Sequence, residues 1–340
     1  MADSDPKPSK YAHFENVAPR NLGDLYERHA EVARDIHQDT LRRFTGNDTL
    51  TVDLVRESPV SPERETLDKM AQYEVMSASS ELSHAGIVQS AGPASFARAS
   101  MYREYFANNE MPIFVGAAGN TGEYRDYDLP RVADFARTSL IVGEASYDDK
   151  GKPYVESHSS VINPTLVSDS PFNRGEKYQY YNPSPSLEGH EHLITNWLVS
   201  REQTARADAF MLSDPAMSFD AAMNKAAIEI NESDYINSEV VQAQVADFMA
   251  SPEKLHALVM ADIMKDGTVD ANGFATGIDG TSFSAPEQAG YISGAHYEQE
   301  QRAQAGKPAL TKEEISSIAK MATIDVDRIE GNDAIIDQYN

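Results

Sequence analysis

The feature that most constrains the fold is the alternation of short apolar runs with amphipathic helix patterns along much of the chain. The runs have strand length and recur between helices, so the pattern predicts parallel β-α-β units. We therefore expect an α/β fold with a doubly wound, mostly parallel sheet and helices on both faces. The predicted strands span residues 11–17, 50–55, 74–79, 112–118 and 137–144, and the predicted helices run from a cap at Asn21 or Asp24 to Ile36, and over residues 63–73 and 93–109.

The remaining segments differ in character. Residues 1–10 are predicted to be a flexible tail, and residues 11–340 one domain interrupted by an insertion at about 161–271. The first part of the insertion, residues 161–191, is rich in Pro, Ser, Asn and Tyr, which predicts a long ordered loop. The insertion could be a lid, an exosite or an oligomer contact. Helices are predicted in its second part, starting at Ser218, near Glu239 and at Pro252.

Charge and cysteine content exclude several classes of function. With 54 acidic against 29 basic residues, the formal net charge of -25 argues against nucleic-acid and anionic-membrane partners. The charge is equally consistent with a saline habitat and with basic substrates. The absence of cysteine excludes disulfides, zinc-thiolate sites and thiol catalysis. With no apolar run long enough for a membrane span and no secretory signal, we expect a soluble chain, cytoplasmic or exported without a cleaved signal peptide.

The segment 275–292 combines flexible glycines, a small hydroxyl pair and the start of an apolar helix pattern. Ser282 is placed at the start of this helix, near unpaired N–H groups and the positive end of the helix dipole. This position suits a nucleophile for acyl transfer, and it equally suits a serine that caps a helix. Pro286 is expected in the first turn, where its missing N–H costs little.

Two specific motifs and one looser segment carry a resemblance to a known family. The heptapeptide Gly-Thr-Ser-Phe-Ser-Ala-Pro at residues 280–286 resembles the nucleophile motif of subtilisin-like serine proteases, the subtilases. Residues 111–122 resemble the subtilase strand that ends in the oxyanion-hole asparagine, and residues 29–33 resemble the start of the histidine helix. The resemblance covers roughly two thirds of the chain and implies a subtilisin-like catalytic domain and a serine endopeptidase activity on peptide or protein substrates.

The resemblance implies a role for each matched residue. Ser282 would be the nucleophile, His29 the general base, and the Asn120 side chain with the Ser282 N–H would bind the oxyanion. Taken without the resemblance, His29 on an apolar helix face is typical of a core histidine, and Asn120 before a glycine is typical of a turn. The substrate-binding positions that the resemblance implies are Ser77, Ala78, Ser79 and Gly119.

The third member of the triad departs from the family, because no apolar strand ending in aspartate precedes His29. Glu15, at the end of the predicted strand 11–17, is our candidate, since a shortened connection could still bring a carboxylate to the ring; the other acidic residues before His29 are Asp24, Asp5 and Asp3. Without an orienting carboxylate, the chain would be a pseudoprotease that binds peptides or a protein partner. A third possibility is a protease kept inactive until the insertion moves.

No cofactor is expected, and the sequence contains no convincing metal site. Residues 266–273 are rich in Asp, Asn and Gly and resemble a calcium loop, but the glycine and the closing Glu of an EF-hand are out of place. We interpret the segment as a turn, with a structural calcium ion possible. His190 and His192 lie in a polar loop and are expected to be solvated.

Overall fold

A mostly parallel sheet forms the centre of the chain in the computed structural model. Its order is β2-β1-β3-β4-β5-β6, with β7 also paired to β5, and only the β5–β6 pairing is antiparallel. The predicted α/β fold with a mostly parallel sheet is confirmed. The seven strands are β1 (Tyr11–Phe14), β2 (Asp53–Val55), β3 (Val75–Glu81), β4 (Ile113–Ala117), β5 (Ser139–Tyr147), β6 (Pro153–Val155) and β7 (Leu166–Asp169).

The structure describes most of the chain, with gaps. The predicted helix at residues 93–109 lies almost entirely outside the described residues, as does most of the predicted tail. The described residues are 9–15, 18–57, 64–81, 104, 105, 109, 112–120, 139–156, 159, 166–230, 235, 237–276, 278, 280–319 and 321.

Helices cover both faces of the sheet, as predicted. On one face, α2 (His29–Thr45) and α8 (Thr281–Gln304) pack against each other and on the strands through a buried apolar cluster. On the other face, α3 (Arg64–Met70) buries Leu67 and Met70 against β1, β3 and β4. Because successive residues of a strand point to opposite faces, β1 and β3 each contribute side chains to both layers. This arrangement brings alternate residues of β1 and β3 against α2 and α8.

The single helix predicted from residue 21 or 24 to residue 36 is wrong. The chain forms two helices, α1 (Leu22–Tyr26) and then α2, which begins at His29. Asn21 caps the first helix by accepting the N–H of Asp24, and Glu27 takes an extended conformation that ends it. Periodicity did not reveal the break because apolar residues keep a helical spacing across it.

A second compact unit comprises residues 18–28 and 179–275. Its core is formed by α1 and four further helices. The first of these, 23 residues long, was not predicted, whereas the other three begin at or next to the predicted positions. The elements not yet named are α4 (Glu191–Ser213), α5 (Phe219–Glu229), α6 (Glu239–Ala250), α7 (Pro252–Ile263), a 3₁₀ turn (Met264–Asp266), α9 (Lys312–Ala319) of the first unit, and the short paired strands β8 (Tyr178–Gln179) and β9 (Phe274–Ala275).

The segment predicted as a loop at residues 161–191 is only partly a loop. Strand β7 extends the main sheet within it, so a purely irregular segment is the wrong prediction there. The insertion at about 161–271 stays a prediction; the longer segment of the second unit spans residues 179–275. None of the described helices is both long and apolar enough to cross a lipid bilayer.

Candidate active site

Ser282 is the second residue of α8, in the first turn of the helix, and Gly280 is the residue that caps its N-terminus. Gly280 has φ +140°, a conformation that residues with a Cβ rarely adopt, and this glycine turns the chain into the helix. The first N–H groups of a helix have no acceptor within the helix, and the N–H of Ser282 is one of them. Ser282 therefore combines a hydroxyl with an adjacent N–H donor at the positive end of the helix dipole.

The carboxylate of Glu15 contacts the imidazole of His29. Glu15 directly follows β1, and its N–H donates to Val55 O at 3.0 Å, which continues the ladder to β2. Glu15 Oε1 lies 2.7 Å from Nδ1 of His29, the first residue of α2. Because a carboxylate can only accept, His29 donates from Nδ1, which leaves Nε2 as the basic nitrogen. The His29 side chain is 23% exposed, so it is not a core histidine.

A second histidine, His13, holds the other oxygen of Glu15. His13 Nε2 lies 3.1 Å from Glu15 Oε2, so each carboxylate oxygen has an imidazole donor. Burial of the Glu15 carboxyl raises its pKa, but the hydrogen bonds and charges of His13 and His29 outweigh burial and lower the pKa to about 2. Glu15 is therefore ionised throughout the neutral range, as an orienting carboxylate requires.

Phe283, the residue after Ser282, packs against the ring of His29. The two ring centroids are 5.0 Å apart with an interplanar angle of 49°. Phe283 in turn contacts Phe172 edge to face, again at 5.0 Å, and is 2% exposed. The imidazole is thus held by a carboxylate at Nδ1 and by a buried aromatic ring that belongs to the serine helix.

Asn120, at the end of β4, is tied to the serine helix through its carbonyl oxygen. Oδ1 accepts the N–H of Thr281 at 3.0 Å and the hydroxyl of Thr281 at 2.9 Å. Since a backbone N–H can only donate, the orientation of the amide is fixed, with Nδ2 as its donor. The N–H of Gly119 donates to Thr281 Oγ1 at 3.2 Å, and a Cβ at Gly280 would come within 3.2 Å of Asn120 Nδ2. Asn120 therefore presents a fixed N–H donor beside Ser282.

Pro286 was expected in the first turn of the helix but lies in the second turn. Its missing N–H would have bonded to the carbonyl of residue i−4, which is Ser282. The Ser79 hydroxyl satisfies that carbonyl instead, at 3.1 Å. In the other direction, the Ser282 hydroxyl lies 3.5 Å from Ser79 O, at the outer limit of a hydrogen bond. The proline and Ser79 together connect the serine turn to the carboxyl end of β3.

The other substrate-binding candidates have buried side chains. Ser77 and Ala78 are both 0% exposed, on opposite faces of β3, and Gly119 is buried at the end of β4. Ser77 and Ala78 also lie between β1 and β4, which pair with the two edges of β3, so a peptide reaches neither their side chains nor their backbone. The assignment of Gly119 to substrate binding stays a prediction.

Two charged or titratable residues of this region were not predicted. His13 lies two residues before Glu15 on the same face of β1, a spacing that the period of a strand makes meaningful. Glu144 is fully buried on β5, where its Oε2 accepts the N–H of Gly280 at 2.5 Å. The sequence signal that could have identified them is a titratable residue within a mostly apolar strand, His13 in β1 and Glu144 in β5.

Metal binding has little support among the described residues. Asp270 Oδ1 accepts the N–H groups of Asn272 and Phe274 at 2.8 and 3.0 Å, which fits the turn interpretation of residues 266–273. One group of possible ligands lies elsewhere and already contains a cation, because the Lys10 ammonium binds both of its carboxylates. That group consists of Glu74, His296 and Glu300.

Comparison with protein-family models, with curated proteins and with solved structures found no match for this chain.

Proposed function

We propose that this chain is a serine endopeptidase that hydrolyses peptide bonds through an acyl-enzyme at Ser282. The observation that carries the proposal is the 2.7 Å contact of Glu15 with His29 Nδ1, with the His29 ring packed on the residue that follows Ser282. The carboxylate thus comes from the residue after β1, the imidazole from the start of α2 and the serine from the start of α8. The subtilase-like motifs at residues 111–122 and 280–286 support the same activity.

The chemistry follows from the fixed donors and acceptors. Ser282 Oγ attacks the carbonyl carbon of the scissile bond while His29 Nε2 takes its proton, and ionised Glu15 stabilises the imidazolium. His29 then returns the proton to the nitrogen of the leaving amine as the C–N bond breaks. Water repeats the sequence on the acyl-enzyme and releases the carboxylic acid, regenerating the Ser282 hydroxyl.

Two N–H donors serve the oxyanion of each tetrahedral intermediate. Asn120 Nδ2 is oriented by the two bonds to its Oδ1, and the Ser282 N–H lies in the first turn of the helix, where no carbonyl of the helix itself can accept it. Because both are fixed before substrate arrives, no reorganisation is needed when negative charge develops. Ser79, which is partly exposed near the carboxyl end of β3, is the proposed contact with the peptide substrate.

Hydrolysis of an unfolded protein substrate tests the proposal. Purified wild type should release casein fragments with new termini, read by mass spectrometry, whereas Ser282→Ala and His29→Ala should release none above background. Equal background in all three proteins, each folded by circular dichroism, would refute a peptidase and favour a peptide-binding scaffold.

A further inference from the structure

A buried file of polar side chains runs from the candidate site into the layer between the sheet and its two helices. His13 and Ser77 are paired residues of β1 and β3, and both point to the face covered by α2 and α8. There they meet His37 of α2 and Ser293 of α8. All four side chains are 0% exposed.

Each member of this file is hydrogen-bonded to the next. The distances are 3.1 Å for His13 Nε2 to Glu15 Oε2, 2.9 Å for His13 Nδ1 to Ser77 Oγ, 3.1 Å for His37 Nδ1 to Ser77 Oγ, and 2.8 Å for His37 Nε2 to Ser293 Oγ. Burying four polar groups where apolar packing is the rule is costly unless every group is satisfied. The file therefore calls for an explanation beyond packing.

The direction of every bond follows from the Glu15 end of the file. Ionised Glu15 can only accept, so His13 donates from Nε2 and, when neutral, accepts at Nδ1 from the Ser77 hydroxyl. Ser77, having donated its proton, accepts from His37 Nδ1–H, and His37 Nε2 accepts from Ser293. Burial lowers the pKa of His37 to about 3, so His37 is neutral.

A contact of Ser79 with His13 Nε2 agrees with the tautomer that carries its proton on Nε2. The Ser79 hydroxyl lies 3.4 Å from His13 Nε2, but its proton is already donated to Ser282 O at 3.1 Å. Ser79 can therefore only accept at His13, which is compatible with a proton on Nε2.

We propose that His13 is a positioning residue of the site, which uses its Nε2–H to hold Glu15 Oε2 so that Oε1 faces His29 Nδ1. The Ser77 hydroxyl can donate to His13 Nδ1, which is compatible with the tautomer that the Glu15 carboxylate selects. As a positioning role for a catalytic carboxylate, the inference rests on the proposed function. Its structural content, the orientation of His29 by way of Glu15, can be measured whether or not the chain cleaves peptides.

Two substitutions separate the donated hydrogen bond from the volume of the ring. In His13→Gln, Nε2 lies three bonds from Cβ, as in histidine, and can still reach Glu15. In His13→Asn, the amide is one bond shorter and stays near Ser77. Both variants bury one neutral amide. The control is His296→Gln, which replaces a half-buried histidine of α8 that binds Glu74, away from the site.

The readouts are ring ¹⁵N shifts of the histidines and the rate at which a fluorophosphonate modifies Ser282. Wild type should show His13 protonated at Nε2 and His37 at Nδ1. His13→Asn should alter the His29 shifts and slow modification about ten- to a hundredfold, the usual effect of losing an outer partner of a functional group. His13→Gln and His296→Gln should leave the His29 shifts unchanged and stay within about threefold of the wild-type rate.

The two proposals fail in different ways. If wild type is never modified at Ser282, the peptidase proposal falls, and the ¹⁵N shifts alone decide the role of His13. Wild-type His13 protonated at Nδ1 alone, or His29 shifts that are the same in His13→Asn and wild type, would overturn the positioning role. Should His13→Asn fail to fold, His13→Ser replaces it: altered His29 shifts support the role, and His29 shifts that are the same as in wild type contradict it.

Discussion

At the scale of single residues, the central contact is the sharing of Glu15 between two imidazoles. Each oxygen of the carboxylate accepts from one histidine, and together the two donors lower its pKa to about 2 despite burial. An ionised, immobile carboxylate is what a general-base histidine needs at Nδ1. In the proposed mechanism, Glu15 therefore has the role that the resemblance assigns to an aspartate.

Replacing Glu15 by glutamine should nearly abolish activity while preserving the shape of the side chain. The amide has only one acceptor oxygen, whereas His13 and His29 both donate, so one imidazole must face the NH₂ group or change tautomer. We expect kcat to fall by about 10³- to 10⁴-fold, as when a triad carboxylate becomes an amide. Casein hydrolysis measures the change, with exposed Glu313→Gln as the control, and a loss below about tenfold would contradict the role.

At the scale of elements, α8 connects the turn that carries Ser282 to the sheet. Its first turn carries Ser282, Pro286 removes the N–H that would have closed the next turn, and Ser79 at the end of β3 donates to the carbonyl that the proline leaves. Farther along, Gly290 permits the close approach of α2, because a Cβ there would lie 2.5 Å from Thr40 Cβ. The helix is thus fixed to β3 and to the histidine helix at separate points.

Ser79 and Pro286 should be energetically coupled. Ser79→Ala alone should lower the free energy of unfolding by about 1 kcal/mol or more, since it leaves the Ser282 carbonyl without its side-chain donor. In a Pro286→Ala background the new N–H can bind that carbonyl, so the same change should cost less. A double-mutant cycle by urea denaturation measures the coupling, expected at about 0.5–1.5 kcal/mol.

A second cycle provides the control. Ser79→Ala combined with Gln304→Ala, at the far end of α8, should be additive within about 0.5 kcal/mol. Additivity in both cycles would mean that the Ser79 hydroxyl does not compensate for the proline.

Much of the fold was predictable because the strands and helices of the first unit follow simple periods. The apolar runs gave β1 to β5 within a few residues, and the motifs located Ser282, Asn120 and His29 in the elements where they lie. His13 and Ser77 were not predicted as partners, since strand pairing and register bring together residues 64 positions apart. The helix α4 was missed because it buries only a few of its residues.

At the scale of the whole molecule, the chain carries a large negative charge and yet buries two carboxylates among the described residues of its first unit, those of Glu144 and Glu287. Glu287 of α8 is 2% exposed and pairs with Arg174 at 2.5 Å. Burial raises its pKa to about 7 from the usual 4.5, and the charge and hydrogen bond of Arg174 only partly oppose this. Such a group makes stability depend on pH.

The sign of this dependence is fixed by the direction of the pKa shift. Between pH 4.5 and 7 native Glu287 holds a proton that the unfolded chain has lost, so the stability it contributes is full below pH 4.5 and is lost as pH rises through 7. From about pH 4.5 to 8, wild type should lose on the order of 2–3 kcal/mol relative to Glu287→Gln. Urea unfolding at both pH values measures this, and parallel curves for the two proteins would disprove it.

The account as a whole depends on an activated hydroxyl at the start of α8. The most direct measurement is peptide-level mass spectrometry of the native chain after treatment with a fluorophosphonate. We predict one phosphonyl group per chain, on Ser282, greatly slowed in Glu15→Gln and absent in His29→Ala. A folded wild type that stays unmodified, or is modified at a residue other than Ser282, would contradict the account.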